Sequence, residues 1–70
     1  MDTVRIEYML VNDQGLVLTN WATAEGGLMN DPQTYVYRAN QVRDRYTQGM
    51  SKARVRVISE QSNRIVDIIQ

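Results

Sequence analysis

The residues that could perform chemistry are few and isolated. Neither histidine nor cysteine occurs among the 70 residues, which removes the commonest general base, the commonest transition-metal ligand, every thiolate and every disulfide. Ser51, Ser59 and Ser62 therefore lack the imidazole that would activate a hydroxyl nucleophile. Lys52 could serve as a base or form a Schiff base only if it were buried, which its position next to a predicted turn disfavours. We expect no enzyme.

The remaining candidate sites fail on spacing. Acid–base catalysis needs paired titratable groups in a sheltered cleft, whereas the carboxylates of this chain are scattered singly. Asn12-Asp13-Gln14 lacks the ligand spacing of a calcium loop. Gly26-Gly27 lacks the additional glycines or the following Lys-Ser/Thr of a phosphate-binding loop. The sequence therefore predicts no metal and no cofactor, and a composite site at a dimer interface is the residual route to catalysis.

Charge is distributed unevenly along a chain whose formal net charge is zero. Residues 1 to 37 carry five acidic residues against Arg5 alone, a net charge of −4, and residues 38 to 64 carry seven basic residues against two acidic ones, a net charge of +5. This asymmetry is typical of a surface for nucleic acid or an acidic partner, of contact between the opposite poles of two copies, or of a solvated surface without a target.

Nucleic acid is the alternative partner that these basic residues indicate. Lys52, Arg54 and Arg56 could neutralise phosphates beside the aromatic ring of Trp21 or Tyr37. However, the paired aromatic residues on neighbouring strands that mark many RNA-binding domains are absent from the sequence. The helix arginines are also expected on the opposite side of the domain from those of the strand.

The first half of the chain predicts a β-hairpin. From Thr3 to Val11 apolar residues alternate along a strand, and Asn12-Asp13-Gln14-Gly15 is typical of a type I turn whose fourth residue has positive φ. If Asn12 pairs with Leu16, then Val11 faces Val17 and Glu7 faces Trp21. The register predicts one core face and one opposite face. The core face would hold Val4, Ile6, Tyr8, Leu10, Leu16 and Leu18. The opposite face would hold Met9, Val11, Val17 and Trp21 among Arg5, Glu7 and Thr19.

A loop and a helix follow. The glycine pair predicts a loop from Ala24 to Asn30, which could cover Trp21. Asp31-Pro32 is typical of a helix start, and the apolar stripe that follows predicts a helix from Pro32 to Gln48 with Gly49 as a C-cap. The strand propensity of residues 34 to 37 leaves open an alternative in which a strand precedes a shorter helix from about Arg38.

Two strands close the chain. Ala53 to Val57 alternates, with Arg54 and Arg56 on one face and Val55 and Val57 on the other. Ile65 to Ile69 follows a turn-like segment, and we expect Val66 and Ile68 beneath the helix and Ile65 and Ile69 beside Ile58 on the far face. The predicted fold is α+β: a single ββαββ domain with one helix packed on a four-stranded antiparallel or mixed sheet.

One helix cannot cover both faces of such a sheet. The apolar far face therefore predicts a non-enzymatic protein-interaction module that dimerises or docks on a partner protein, with Trp21 as the anchor. The predicted partner-binding residues are Met9, Val11, Val17, Trp21, Arg54, Arg56, Ile58, Ile65 and Ile69. A 70-residue chain without disulfides or metal is marginal alone, so we expect a homo-oligomer.

The charges of the first residues and the length of the apolar runs predict where the protein is located. The first residues carry charges where a signal peptide would need an apolar core, and no apolar run approaches the length of a membrane span, so we expect a soluble cytoplasmic protein without membrane contact. Its size and composition are similar to those of accessory proteins of phages and mobile elements that bind and inhibit a host protein. This similarity is one of size and composition alone.

Overall fold

Four strands and one helix follow one another in the order ββαββ. A computed structural model describes residues 2–69. The strands are β1 (Thr3–Val11), β2 (Ala22–Met29), β3 (Lys52–Ser59) and β4 (Ile65–Ile69), and the helix α1 is Pro32–Tyr46. The sheet has the order β2-β1-β3-β4, and all neighbouring strands are antiparallel. The helix packs on one face of the sheet, which confirms the predicted α+β fold.

The helix begins where the sequence predicts and ends slightly earlier. The Asp31 side chain accepts a hydrogen bond from the Gln33 N–H, and Pro32 occupies the first turn, where its missing donor costs nothing. Residues 34 to 37 are helical, so the alternative strand is not formed. Thr47 leaves the helical conformation, and Gly49, at φ 59°, lies in the following turn instead of capping the helix.

The core lies between the helix and the two central strands. Val4 and Ile6 of β1 and Val55 and Val57 of β3 are fully buried against the helix, as the alternation predicts. The helix contributes Tyr35, Ala39 and Val42. At its C-terminal end the Tyr46 ring stacks on Tyr8 with centroids 3.9 Å apart.

The second strand corrects the sequence interpretation. Residues 22 to 29, predicted in large part as loop, form β2, whose Ala24 and Leu28 pack against the core. Two register shifts against β1, one at the glycine pair and one at Ala24, fit β2 into the sheet, because a bulge absorbs an extra residue in an edge strand. The glycine pair therefore forms no loop over Trp21, and the alternative in which such a loop covers the tryptophan does not occur.

The tight turn after β1 forms, but the hairpin does not continue in the predicted register. Asn12 N–H donates to Leu16 O, and Val11 bridges Val17, both as predicted. Thr19 then interrupts the ladder, because its Oγ1 accepts the Leu10 N–H. Pairing resumes as β2 with Ala22 opposite Tyr8, so Glu7 pairs with Thr23 instead of Trp21.

Leu16 and Leu18 are not core residues. They are 61% and 52% exposed, against the prediction that they line the core. Tyr46, the last helical residue, stacks on Tyr8, so the helix does not extend over the turn beyond Leu10. These two leucines lack cover for that reason.

The closing strand has the predicted bounds and the opposite orientation in its second half. Ile65 pairs with Ile58, as expected for the far face, but a register shift follows and Ile68 then pairs with Arg56. Ile69 pairs with Val55 and packs against the helix side, so its predicted place on the far face is wrong. One extra residue in a strand exchanges the faces of all later side chains.

Candidate protein-interaction surface

The sheet face that points away from the helix is called here the outer face. Along β1 and β3 it is built from directly paired positions, with Glu7 opposite Arg56 and Met9 opposite Arg54. Side chains alternate between the faces of a strand, so Val55 and Val57 lie beneath the helix while Arg54 and Arg56 lie on the outer face, as predicted.

A carboxylate held between two guanidinium groups occupies the centre of the outer face. Arg56 Nε donates to Glu7 Oε1 at 2.8 Å, Arg56 Nη2 forms an ion pair with the same oxygen at 2.8 Å, and Arg5 Nε donates to Glu7 Oε2 at 2.9 Å. Arg5 also donates to Asn63 Oδ1 in the β3–β4 turn. Glu7 is only 8% exposed. The centre of this face is therefore covered by its own ion pairs and is not a bare apolar surface.

The ionisation of Glu7 follows from these contacts. Burial acts to raise the pKa of Glu7, but the hydrogen bonds from Arg5 and Arg56 and their positive charges outweigh it. The pKa of Glu7 therefore lies below the ordinary glutamate value, and the carboxylate is charged at neutral pH.

Trp21 lies against this network. The Arg56 guanidinium carbon is 4.0 Å from the centroid of the indole ring, a cation–π contact. Arg56 is thus held by Glu7 on one side and by Trp21 on the other, and Trp21 is half-buried. The tryptophan reaches the predicted face through this arginine, although it pairs with no residue of β1 in the observed register.

An apolar depression borders Trp21. It is called here the β3–β4 groove and measures about 230 Å³. Its lining residues are Met9, Trp21, Arg54, Val55, Arg56, Ile65, Ile68 and Ile69. Ile65 and Ile68 on its wall are 54% and 60% exposed. An apolar wall this exposed is a feature of binding surfaces on small proteins.

The predicted partner-binding residues divide into two groups. The structure brings together Met9, Trp21, Arg54, Arg56 and Ile65 at the β3–β4 groove, and Ile69 reaches its edge from the helix side.

Three others do not join them. Val11 and Ile58 are only 4% and 3% exposed, so neither has surface to offer a partner. Val17 is exposed, but it lies in the turn region opposite Val11 and does not line the groove.

Sequence reasoning missed two features of this surface. Ile68 replaces Ile69 as the outward isoleucine, and only the β4 bulge decides that exchange. The role of Glu7 has a detectable signal, because the sequence predicts Arg5 and Glu7 on the opposite face of β1 and Arg56 on one face of β3. Opposite charges on paired strands attract, so a network could have been inferred from the register.

Two cations of the outer face are unengaged. Lys52 and Arg54 are both exposed, and neither forms an ion pair or a side-chain hydrogen bond within residues 2–69. Both line a second depression of about 260 Å³, and Asp13 lines it with them. Arg54 borders this depression and the β3–β4 groove alike.

Charged residues on the helix side of the domain form ion pairs apart from those of the outer face. Arg38 forms a two-point contact with Glu25 of β2, at 3.0 and 3.1 Å, and Arg43 lies 3.5 Å from Asp44. Arg38 and the strand arginines therefore occupy opposite sides of the domain, as expected. They form no continuous basic surface.

Two further properties concern the described part of the chain. Its single helix is too short and too polar to cross a membrane. Nowhere in residues 2–69 do three or more carboxylates, the available ligand type, cluster closely enough to hold a metal ion.

Comparison with protein-family models, curated proteins and solved structures gave no match to this chain.

Proposed function

We propose that this chain is a non-enzymatic protein-interaction module that docks on a partner protein through the β3–β4 groove. The observation that carries the proposal is the exposed wall of Ile65 and Ile68 facing a half-buried Trp21. Full burial of an isoleucine side chain stabilises a complex by roughly 1.5–3 kcal/mol, and aromatic anchors dominate many interfaces.

The position of Trp21 supports this proposal. Its ring rests on Arg56, which Glu7 holds in place, so little side-chain freedom remains to be lost on binding. An anchor that is already ordered lowers the entropic cost of association.

The charge of the outer face favours a different protein over a second copy. Outward positions of β1 and β3 carry four cations, Arg5, Lys52, Arg54 and Arg56, against Glu7, a net charge of +3. Two such faces would repel each other if they met. Self-association stays a prediction, as do a cytoplasmic location and a role as a phage or mobile-element accessory protein.

Nucleic acid is the second candidate because Lys52 and Arg54 are unengaged and lie on the same face as Trp21. Against it, Arg56 covers one side of the indole, which bases would need for stacking. Retention on a single-stranded DNA column that falls with salt and is lost in Arg54→Glu would favour this candidate.

Affinity capture from an extract of the source organism tests the protein-interaction proposal. We expect the wild-type chain and Tyr37→Asp, a control on the exposed helix surface, to retain the same protein. Ile68→Asp should lose it, because a charge would enter the apolar groove. Trp21→Ala should weaken the association more than it weakens folding, which circular dichroism can check.

Light scattering on the purified chain reports self-association separately. Capture that is unaffected by both Ile68→Asp and Trp21→Ala, or no capture at all, would contradict docking through the β3–β4 groove.

A further inference from the structure

We infer that the segment docking in the β3–β4 groove is acidic, with an apolar side chain in the groove and carboxylates on Arg54 and Lys52. This inference rests on the proposed function and adds the chemistry of the partner. The charge of the partner follows from which cations of the outer face are already neutralised.

Two of the four outer cations are not available. Arg5 and Arg56 both bind the Glu7 carboxylate at 2.8–2.9 Å, and Arg56 also stacks on Trp21. Their positive charge is satisfied within the domain. A partner carboxylate would have to compete with Glu7 for them.

Lys52 and Arg54 remain for a partner. Both are exposed on the outer face, and neither has an ion pair within the described chain. Asp13 lines the same depression, which leaves its lining with two cations against one anion. A partner segment that brings carboxylates there meets a complementary potential, whereas a basic segment would be repelled.

The position of Arg54 links charge to the apolar groove. Arg54 borders both depressions, and Lys52 is the next outward residue along β3. Outward residues of a strand lie about 7 Å apart, which is also the spacing of alternate side chains in an extended peptide. An extended segment with an apolar anchor in the groove would therefore place Asp or Glu against Arg54 or Lys52 two to four positions away.

Selection from a random dodecapeptide library against the immobilised full chain tests this inference. We expect enriched peptides to combine a large apolar residue with Asp or Glu two to four positions away. Each exposed ion pair contributes only modestly to affinity. Reversal of charge in Arg54→Glu adds repulsion to that loss and should weaken the dissociation constant by about tenfold, equivalent to ~1.4 kcal/mol.

Matched variants identify the source of any effect. Arg45→Glu makes the same change of charge at an exposed helix position and should leave peptide affinity within about twofold. Lys52→Glu should behave like Arg54→Glu. Affinity of the wild-type chain should fall with added salt, because these charges are solvent-exposed.

The outcomes separate the two proposals. Peptides that need Ile68 but lack acidic residues would overturn the acidic partner and leave the β3–β4 groove as a docking site. Peptides indifferent to Ile68→Asp, or no enriched peptide, would overturn both. Displacement of bound peptide by a 20-nucleotide single strand, with loss of strand binding in Arg54→Glu, would assign the cations to nucleic acid instead.

Discussion

Glu7 is the residue on which the outer face depends. Its two carboxylate oxygens each accept from a different arginine, and these arginines come from different strands. The contact joins β1 to β3 beyond their backbone ladder and holds the arginine on which Trp21 rests. A single side chain therefore connects sheet stability with the order of the proposed binding surface.

Replacing Glu7 by glutamine should lower the free energy of unfolding by about 2 kcal/mol. The substitution keeps the size of the side chain but leaves Arg5 and Arg56 without their anionic acceptor, and hydrogen bonds to charged groups contribute about 1.5–3 kcal/mol. Urea denaturation measures the change. Asp44→Asn, on the exposed helix surface, is the control and should change stability by less than about 0.5 kcal/mol.

The same variant predicts a pH dependence. Because the pKa of Glu7 is lowered in the folded state, its ionisation contributes stability above the unfolded-state pKa of about 4.3. That contribution is lost as pH falls through the folded-state value. The difference between wild type and Glu7→Gln should thus be full at pH 7 and shrink in acid below about pH 4; a constant difference would argue against the ion pairs as its cause.

At the scale of elements, β2 shows why a glycine pair can mislead. Gly26 and Gly27 weaken any strand interior, yet the segment pairs with β1 and packs Leu28 and Ala24 on the core. Only Gly27 of the pair has positive φ, at 68°. Tertiary contacts thus outweigh local propensity, and bulges accommodate the misfit.

This difference between the glycines gives a matched test. Gly27→Ala should destabilise the domain by about 1–2 kcal/mol, because an L-residue is strained in the left-handed region. Gly26→Ala should be close to neutral, since its φ is not positive and a new Cβ would lie 3.4 Å from Glu60 Oε2, an ordinary van der Waals distance. Equal effects in thermal or urea unfolding would contradict the assigned backbone of β2.

The same scale explains the exchange of Ile68 and Ile69. Strict alternation from Ile65 predicts an outward Ile69, which holds only for an unbroken strand. The register shift between the Ile58–Ile65 and Val57–Asp67 pairs reverses the order, so Asp67 turns to the helix side and accepts a hydrogen bond from Tyr35 Oη. No local sequence pattern marks this bulge.

At the scale of the whole molecule, the helix covers less of the sheet than the apolar residues of the first hairpin predict. It ends over Tyr8, and the turn region beyond it carries exposed Leu16 and Leu18. The apolar residues that look alike in sequence therefore divide into a core and an exposed end.

Alanine substitution distinguishes these two groups. Ile6→Ala should lower the free energy of unfolding by about 2–5 kcal/mol, because Ile6 is fully buried and a cavity would remain. Leu16→Ala should cost less than about 1 kcal/mol, as expected for an exposed side chain. Chemical denaturation measures the free energy of unfolding of both variants. A large loss of stability in Leu16→Ala would indicate that this leucine belongs to the core.

Local signals accounted for the element order and much of the core. The Asp31-Pro32 helix start, the turn at Asn12 to Gly15 and the alternation in β1 and β3 each depend on neighbouring residues, and each is confirmed. The strand order, the β4 bulge and the Arg5–Glu7–Arg56 network depend on residues far apart along the chain. Pairing energies between distant strands decide these features, and they determine which isoleucine and which cations face a partner.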